Sequence, residues 1–400
     1  MSLPYAGTLA LALTAASAAL AQPLADVQVA AHLDAAIDRA ISDKRIVGTV
    51  VLVAREGQIV YRRAAGLADR EANRPMREDT IFRLASITKP LVTAAAMRLV
   101  EEGRIGLEDP VTRWLPDFRP RLEDGTEPVI TIRHLLTHTS GLSYGFLHGK
   151  TGPYRRAGVS DGLDQPGLDL ADNLRRIASV PLSFAPGRSW QYSVSLDVLG
   201  GVLEKVTGKP LPALVEGLVT GPLELRDTAF SVRDAGRLAA AYADGRPEPV
   251  RMEDGTFVPL DAGGAFFAPS RILDSTSYPS GGAGMAGTAG DILRFLEAIR
   301  TGGAPILRRE TVQAMMADQV GPQAQTQGPG WGFGYGWAVL DDPQATGTPQ
   351  SPGTIQWGGA YGHSWFVDPV RKLTVVALTN TAFEGMAGAF VRDIRDAVYK

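Results

Sequence analysis

The chain has 400 residues, more than one hydrophobic core usually serves, so two packed regions are expected. Hydrophobic residues make up 44% and charged residues 21%, without repeats or low-complexity stretches, which excludes the fibrous and disordered classes. A net charge of −3 with arginines scattered among acids excludes a nucleic-acid footprint, and the absence of cysteine excludes disulfides, thiolate metal sites and cysteine nucleophiles without fixing the redox compartment.

In chain order, "GTLALALTAASAALAQ" is an uncharged Ala/Leu run that closes in Ala19-Leu20-Ala21, the small-x-small pattern of a signal-peptidase site. Residues 1–21 read as a signal peptide, with the mature chain starting at Gln22 in the periplasm or outside the cell. No lysine or arginine precedes the run, so an alanine-rich leader on a cytoplasmic protein is the alternative. The run is too short and too weakly apolar for a stable membrane anchor.

From Ala25 to Ser42, Val29, Leu33, Ile37 and Ile41 recur every four positions and predict a helix with one apolar face. "GTVVLVA" and "QIVYRR" flank Arg55-Glu56-Gly57 and predict a β-hairpin. At the other end, "WGFGYGWAVL", "GTIQWGG", "HSWFVDP" and "LTVVALTN" read as strands, and Phe390, Ile394 and Val398 share a face of a closing helix. Antiparallel strands from both termini, flanked by terminal helices, suggest one sheet domain built from 22–92 and 298–400. Residues 93–297, where helical segments such as "LDVLGGVLEKVTG" alternate with Gly/Pro-rich loops, read as a helical insertion, making the class α+β. A cleft between the two regions is the natural place for a substrate.

Two serines compete as nucleophile. Gly141-Leu142-Ser143-Tyr144-Gly145 matches the G-x-S-x-G elbow, which requires a strand before the serine and a helix after it. Here a helix-like "TIRHLLTHTS" precedes it, and the glycines and proline of "FLHGKTGPY" oppose a helix after it. Ser86, in "FRLASITKP", stands three residues before Lys89 at the start of the apolar run "PLVTAAAMRLV". In a helix beginning there, i and i+3 share a face, and Pro90 is tolerated because first-turn N–H groups lack intrahelical acceptors. Those N–H groups and the positive helix end suit an oxyanion. By itself S-x-x-K also describes an N-cap serine with a solvated lysine.

Tyr192 in "WQYSVSLDVLG" and the strand motif Trp357-Gly358-Gly359 supply further parts. With "IFRLASITKP", "LLTHTSGL", "YPSGGAGMAGT" and "WGGAYGHSWFVDP", they make the chain resemble, from about Ala25 onward, the class C branch of the serine β-lactamases and penicillin-binding proteins, and within it the family VIII carboxylesterases. The resemblance implies Ser86 as nucleophile, Lys89 and Tyr192 as the groups that take its proton, and the N–H groups of Ser86 and Ala360 as oxyanion hole. Trp357, Gly358, Gly359 and His363 would border the substrate. The chain departs from the β-lactamase pattern at two points: Tyr192 is followed by Ser193 and Val194 where Asn is expected two residues on, and Trp357 replaces the lysine of K-T-G. Losing a cation that meets a substrate carboxylate favours an uncharged ester.

His134 and His138 have metal-ligand spacing, but Leu135 replaces the glutamate of H-E-x-x-H and no third ligand is evident, so structural roles are expected. His363 reads as wall or support rather than base, and the tryptophans at 331, 337, 357 and 365 as core or acyl-pocket lining. The expectation is a cofactor-free serine hydrolase of short-chain carboxylic esters, a monomer or small homo-oligomer acting on a small-molecule ester. The rival activities are a class C-type β-lactamase or D,D-peptidase. The rival of another kind is a catalytically silent penicillin-binding-like sensor.

Overall fold

A computed structural model describes residues 27–260, 263–321 and 324–400. The leader read at 1–21 lies outside the described residues. Among them, no helix is long and apolar enough to cross a membrane.

The N-terminal periodicity becomes helix α1 over 27–42, with Val29, Leu33 and Ile37 buried and Ile41 half-buried. The predicted hairpin is β1 (Gly48–Arg55) and β2 (Gln58–Asp69), joined by Glu56-Gly57. Both turn residues have positive φ, 53° and 86°, as the tight two-residue turn that matches strand twist requires. Together with β3 (Arg74–Pro75), β4 (Trp331–Phe333), β5 (Ala338–Leu340), β6 (Ile355–Gly359), β7 (His363–Asp368) and β8 (Leu373–Thr379), they form one eight-stranded antiparallel sheet in the order β4-β5-β6-β7-β8-β1-β2-β3. The two chain ends meet where β1 pairs with β8, Val51 opposite Ala377.

β1 is buried along nearly its whole length because both sheet faces are covered. Val51, Val53, Phe366 and Val375 pack under α1 and the closing helix, whose Phe390, Ile394 and Val398 face inward as the periodicity predicted. Val50, Leu52, Val376 and Leu378, on the opposite pleat, join a continuous core with α2 (Thr88–Glu101), α3 (Ser195–Thr207) and α4 (Ala289–Arg300). α2 is buried from Thr88 through Met97, which fits its Ala-rich, apolar circumference and puts its first turn in the middle of the molecule.

The fold is α+β, with two differences from the sequence reading. The boundaries expected at 92/93 and 297/298 both fall inside helices, α2 and α4, and α4 packs directly on β1 and β8. The middle segment is not purely helical: Thr256–Leu260 pairs with Gly263–Phe267 as a two-stranded ribbon, and Phe82–Arg83 pairs with Ala286–Gly287. Pro259 inside a strand cancelled the alternation signal, since proline removes a ladder donor.

Candidate active site

Ser86 lies in a 3-10 turn, Ala85–Ile87, that feeds directly into α2. The preceding Ala85 has φ of 46°, a left-handed conformation that costs a non-glycine residue about 1 kcal/mol or more, and it is fully buried. This kink carries the chain from strand Phe82–Arg83 into the helix and leaves Ser86 at a cavity wall. The Ser86 N–H belongs to the first turn, where the helix offers no acceptor.

Lys89, one turn on, is fully buried. Its Nζ donates to Ser86 Oγ at 3.1 Å and to the Gly282 carbonyl at 2.8 Å. It also lies 4.6 Å from the Tyr192 ring centroid and 5.2 Å from that of Tyr144, so two aromatic faces hold the cation. Tyr192, three residues before α3, donates its hydroxyl to Ser86 Oγ at 2.7 Å. Two segments far apart in sequence thus converge on one oxygen.

A cavity of about 700 Å³ opens at this point. Ser86, Tyr192, Tyr144, Phe146, Trp190, Trp331 and Trp357 line it, with Gly358 and Ala360 from the end of β6. The Trp357 ring packs edge-on against Tyr192 and Phe333, with centroids 5.2 and 5.4 Å away. Gly359 is backed by Leu84, which leads from strand Phe82–Arg83 into the Ser86 turn: a Cβ on the glycine would stand 2.3 Å from the Leu84 carbonyl, so glycine lets β6 approach the nucleophile turn. Ala360, the residue after β6, projects beyond the ladder toward the cavity.

His363 is placed differently from the expected substrate border. It is 1% exposed, does not line the cavity, bonds the Arg83 carbonyl through Nε2 at 2.7 Å and meets Phe82 edge-on. Burial pulls its pKa down to about 4, so it stands neutral behind the site as a support between β7 and the nucleophile turn. His134 caps its helix, its Nδ1 accepting from the Thr131 N–H. His138 is fully buried among Tyr192, Phe333 and Trp190, hydrogen-bonded to Ser193, and burial holds it well below its ordinary pKa. Among the described residues no acidic or histidine cluster has metal-binding geometry.

Ser143 is fully buried and outside the cavity lining. Its hydroxyl bonds His148 Nε2 at 2.6 Å and also accepts from Gln191, while its N–H donates to the Tyr154 hydroxyl. A short helix, Ile132–Leu136, precedes it instead of a strand, so the elbow context is absent. The neighbouring Tyr144, which sequence reasoning passed over, is the residue of that motif that reaches the cavity. Burial raises its pKa well above the ordinary value and keeps the phenol neutral. Asp161 was missed too. It lies on the cavity wall, accepts from the Gly145 N–H at 2.8 Å and pairs with Arg155 at 3.1 Å, yet burial outweighs these and raises its pKa. Of the tryptophans, 331, 357 and 365 line the cavity and Trp337 is core, while Trp190, not singled out from the sequence, joins the lining.

The sheet with helices on both faces, and the serine and tyrosine on one cavity wall with the lysine buried behind them, define the class: the chain belongs to the Beta-lactamase family, whose model matches residues 33–399. Within it the chain is 60% identical over 374 residues to "Esterase EstB" of Burkholderia gladioli, covering 93% of this chain and 95% of that one. The structure of "EstCE1, a hydrolase with promiscuous acyltransferase activity" superposes with a TM-score of 0.92 at 50% identity, over 94% of this chain and all of the other. "Lovastatin esterase" of Penicillium rubens is 27% identical over 378 residues, covering 85% of this chain and 90% of its own. The resemblance read from the motifs is borne out, and the fold is β-lactamase-like.

Proposed function

We propose that the protein is a serine carboxylesterase, with Ser86 forming an acyl-enzyme on short-chain esters. The observation that carries this reading is the double contact on Ser86 Oγ, from Lys89 Nζ at 3.1 Å and the Tyr192 hydroxyl at 2.7 Å, at the wall of an aromatic cavity. A serine hydroxyl is a weak nucleophile, and a neutral lysine or a phenolate beside an ammonium can accept its proton. In the reaction Ser86 Oγ bonds to the ester carbonyl carbon as its proton passes to the Lys89/Tyr192 pair. The N–H groups of Ser86 and Ala360 receive the oxyanion. The alcohol leaves with the proton, and water repeats the sequence on the acyl-serine.

Trp357, Gly358 and Gly359 shape the acyl side, and His363 supports them from behind. An uncharged wall at Trp357 selects neutral esters, in keeping with relatives named esterase and hydrolase. We also propose that the substrate sits where the sheet region meets the inserted segment, and that residues 1–21 are a leader for export to the periplasm or beyond. Comparing p-nitrophenyl acetate and butyrate with nitrocefin and a D-Ala-D-Ala peptide tests the reading, with a fluorophosphonate probe to count activated serines. Ester turnover that exceeds β-lactam and peptide turnover, and is lost in Ser86→Ala, is expected. Higher kcat/KM on nitrocefin than on every ester would make it a β-lactamase, and an unlabelled, inert protein would make it a binding module.

A further inference from the structure

Behind Lys89 lies a carboxylate that the proposed reaction does not use. Asp197, in the first turn of α3, is fully buried. Its Oδ1 accepts from the Ser280 hydroxyl at 2.5 Å, but Oδ2 has no hydrogen-bond partner among the described residues. That oxygen points at Gly282: a Cβ on this glycine would stand 2.7 Å from Asp197 Oδ2, 3.0 Å from the Tyr144 hydroxyl and 3.5 Å from Lys89 Nζ. The carboxylate and the ammonium therefore face each other across a missing side chain, within about 6 Å, close enough in a dry interior for a strong mutual effect. The same glycine offers its carbonyl to Lys89 Nζ at 2.8 Å. Asp197 thus braces, through Ser280, the turn on which the lysine rests.

We propose that Asp197 is a positioning residue: its buried negative charge holds the Lys89 ammonium beside Ser86 and sets the pH at which the Lys89/Tyr192 pair releases a proton. The inference rests on the role proposed above for that pair. Burial raises the Asp197 pKa, and the Ser280 hydroxyl, the Lys89 ammonium, Arg271 and the Gly282 N–H oppose that rise. The other titratable groups facing it are Tyr144 and Tyr278, both held neutral by burial, so neither supplies a competing charge near neutral pH. Arg271 is tied elsewhere, to the carbonyls of Asp164 and Tyr278. Lys89 is thus the cation that meets this carboxylate next to the nucleophile.

The sign follows whichever member of the pair accepts the serine proton. A nearby anion stabilises an ammonium and destabilises a phenolate, so both effects make the pair hold its proton to higher pH. Removing the charge must make the proton leave earlier. Asp197→Asn keeps the shape and the acceptor for Ser280. The alkaline-rising limb of kcat on p-nitrophenyl butyrate should move at least about one pH unit toward acid, with KM within about threefold, since the carboxylate does not line the cavity.

A purely structural role would lower the thermal midpoint and leave the limb in place, and a limb that moves less than about 0.2 unit overturns the proposal. Should Asp197→Asn fail to fold, Asp197→Ser decides. It also removes the charge, so its limb should shift the same way, and an unmoved limb in the folded variant overturns the proposal. Ser86→Ala, measured alongside, separates the two levels. Surviving turnover there sinks the nucleophile reading, whereas an inert Ser86→Ala beside an unshifted Asp197→Asn sinks only the role of Asp197.

Discussion

Tyr192→Phe removes a single oxygen from the site. The ring is held by His138, Tyr144 and Trp357, with centroids 4.9 to 5.2 Å away, and none of these contacts needs the hydroxyl. What disappears is the 2.7 Å bond to Ser86 Oγ. If the phenol were a spectator, losing one hydrogen bond would cost about 1 kcal/mol, roughly fivefold in rate. If it shares the serine proton, kcat should fall by about 10²- to 10⁴-fold, or about 3–5 kcal/mol of transition-state stabilisation. KM should stay near its original value because Trp357 keeps its packing partner. Stopped-flow measurement of the p-nitrophenolate burst reads the acylation step directly, and fluorophosphonate labelling shows whether Ser86 remains accessible. A variant within tenfold of the parent, with folding intact, would refute the proton-sharing role of Tyr192.

Ser143→Ala should leave ester turnover within about tenfold while costing about 1–3 kcal/mol in urea unfolding, because His148 and Gln191 lose a buried partner. Trp357→Lys should raise nitrocefin turnover relative to p-nitrophenyl acetate by about tenfold or more, the worth of one charge-assisted hydrogen bond to a carboxylate. His363, neutral above about 4 in the folded state, should contribute no histidine limb to the rate profile near neutrality. It should also make stability fall with acid: below about pH 6.5 the unfolded chain takes up a proton that the folded one refuses until about 4, a loss of about 1.4 kcal/mol per unit across that window. Urea midpoints measured against pH should flatten over the same window in His363→Gln.

The parts of the site that sequence made legible are those whose geometry is local. Ser86 and Lys89 are one helical turn apart, so their meeting is implied by their spacing, and the apolar run after them announces the helix that fixes it. Tyr192 carries no such signal, since its distance to Ser86 is set by how α3 packs against α2, and it was reached through resemblance. Ala85 was invisible because nothing in an alanine predicts a left-handed backbone; the surrounding packing imposes it. Asp197 and Asp161 look in sequence like ordinary helix-start and loop acids, and only the fold surrounds them with Gly282, Arg155 and Tyr144. In the G-x-S-x-G stretch the flanks already argued against Ser143, but nothing in the pattern marked the tyrosine beside it as cavity lining. Elements with clean periodicity, such as β1, β2 and the closing helix, were readable, whereas the ribbon interrupted by Pro259 was not.

The pairing of β1 with β8 has a consequence in time. Thr49 donates its hydroxyl to the Leu378 carbonyl across 329 positions of chain, so the edge of a strongly apolar strand waits for a segment made that much later. Closing so distant a pair carries a large loop entropy, which slows folding and leaves "GTVVLVAR" open to other strands during synthesis. The β6 glycines that border Ser86 also emerge from the ribosome more than 270 residues after it, so no nascent chain short of them can assemble the site. Assembly of the acylating centre is thereby tied to synthesis of β6 to β8, and a truncation that removes β8 should yield an insoluble chain rather than a weaker enzyme.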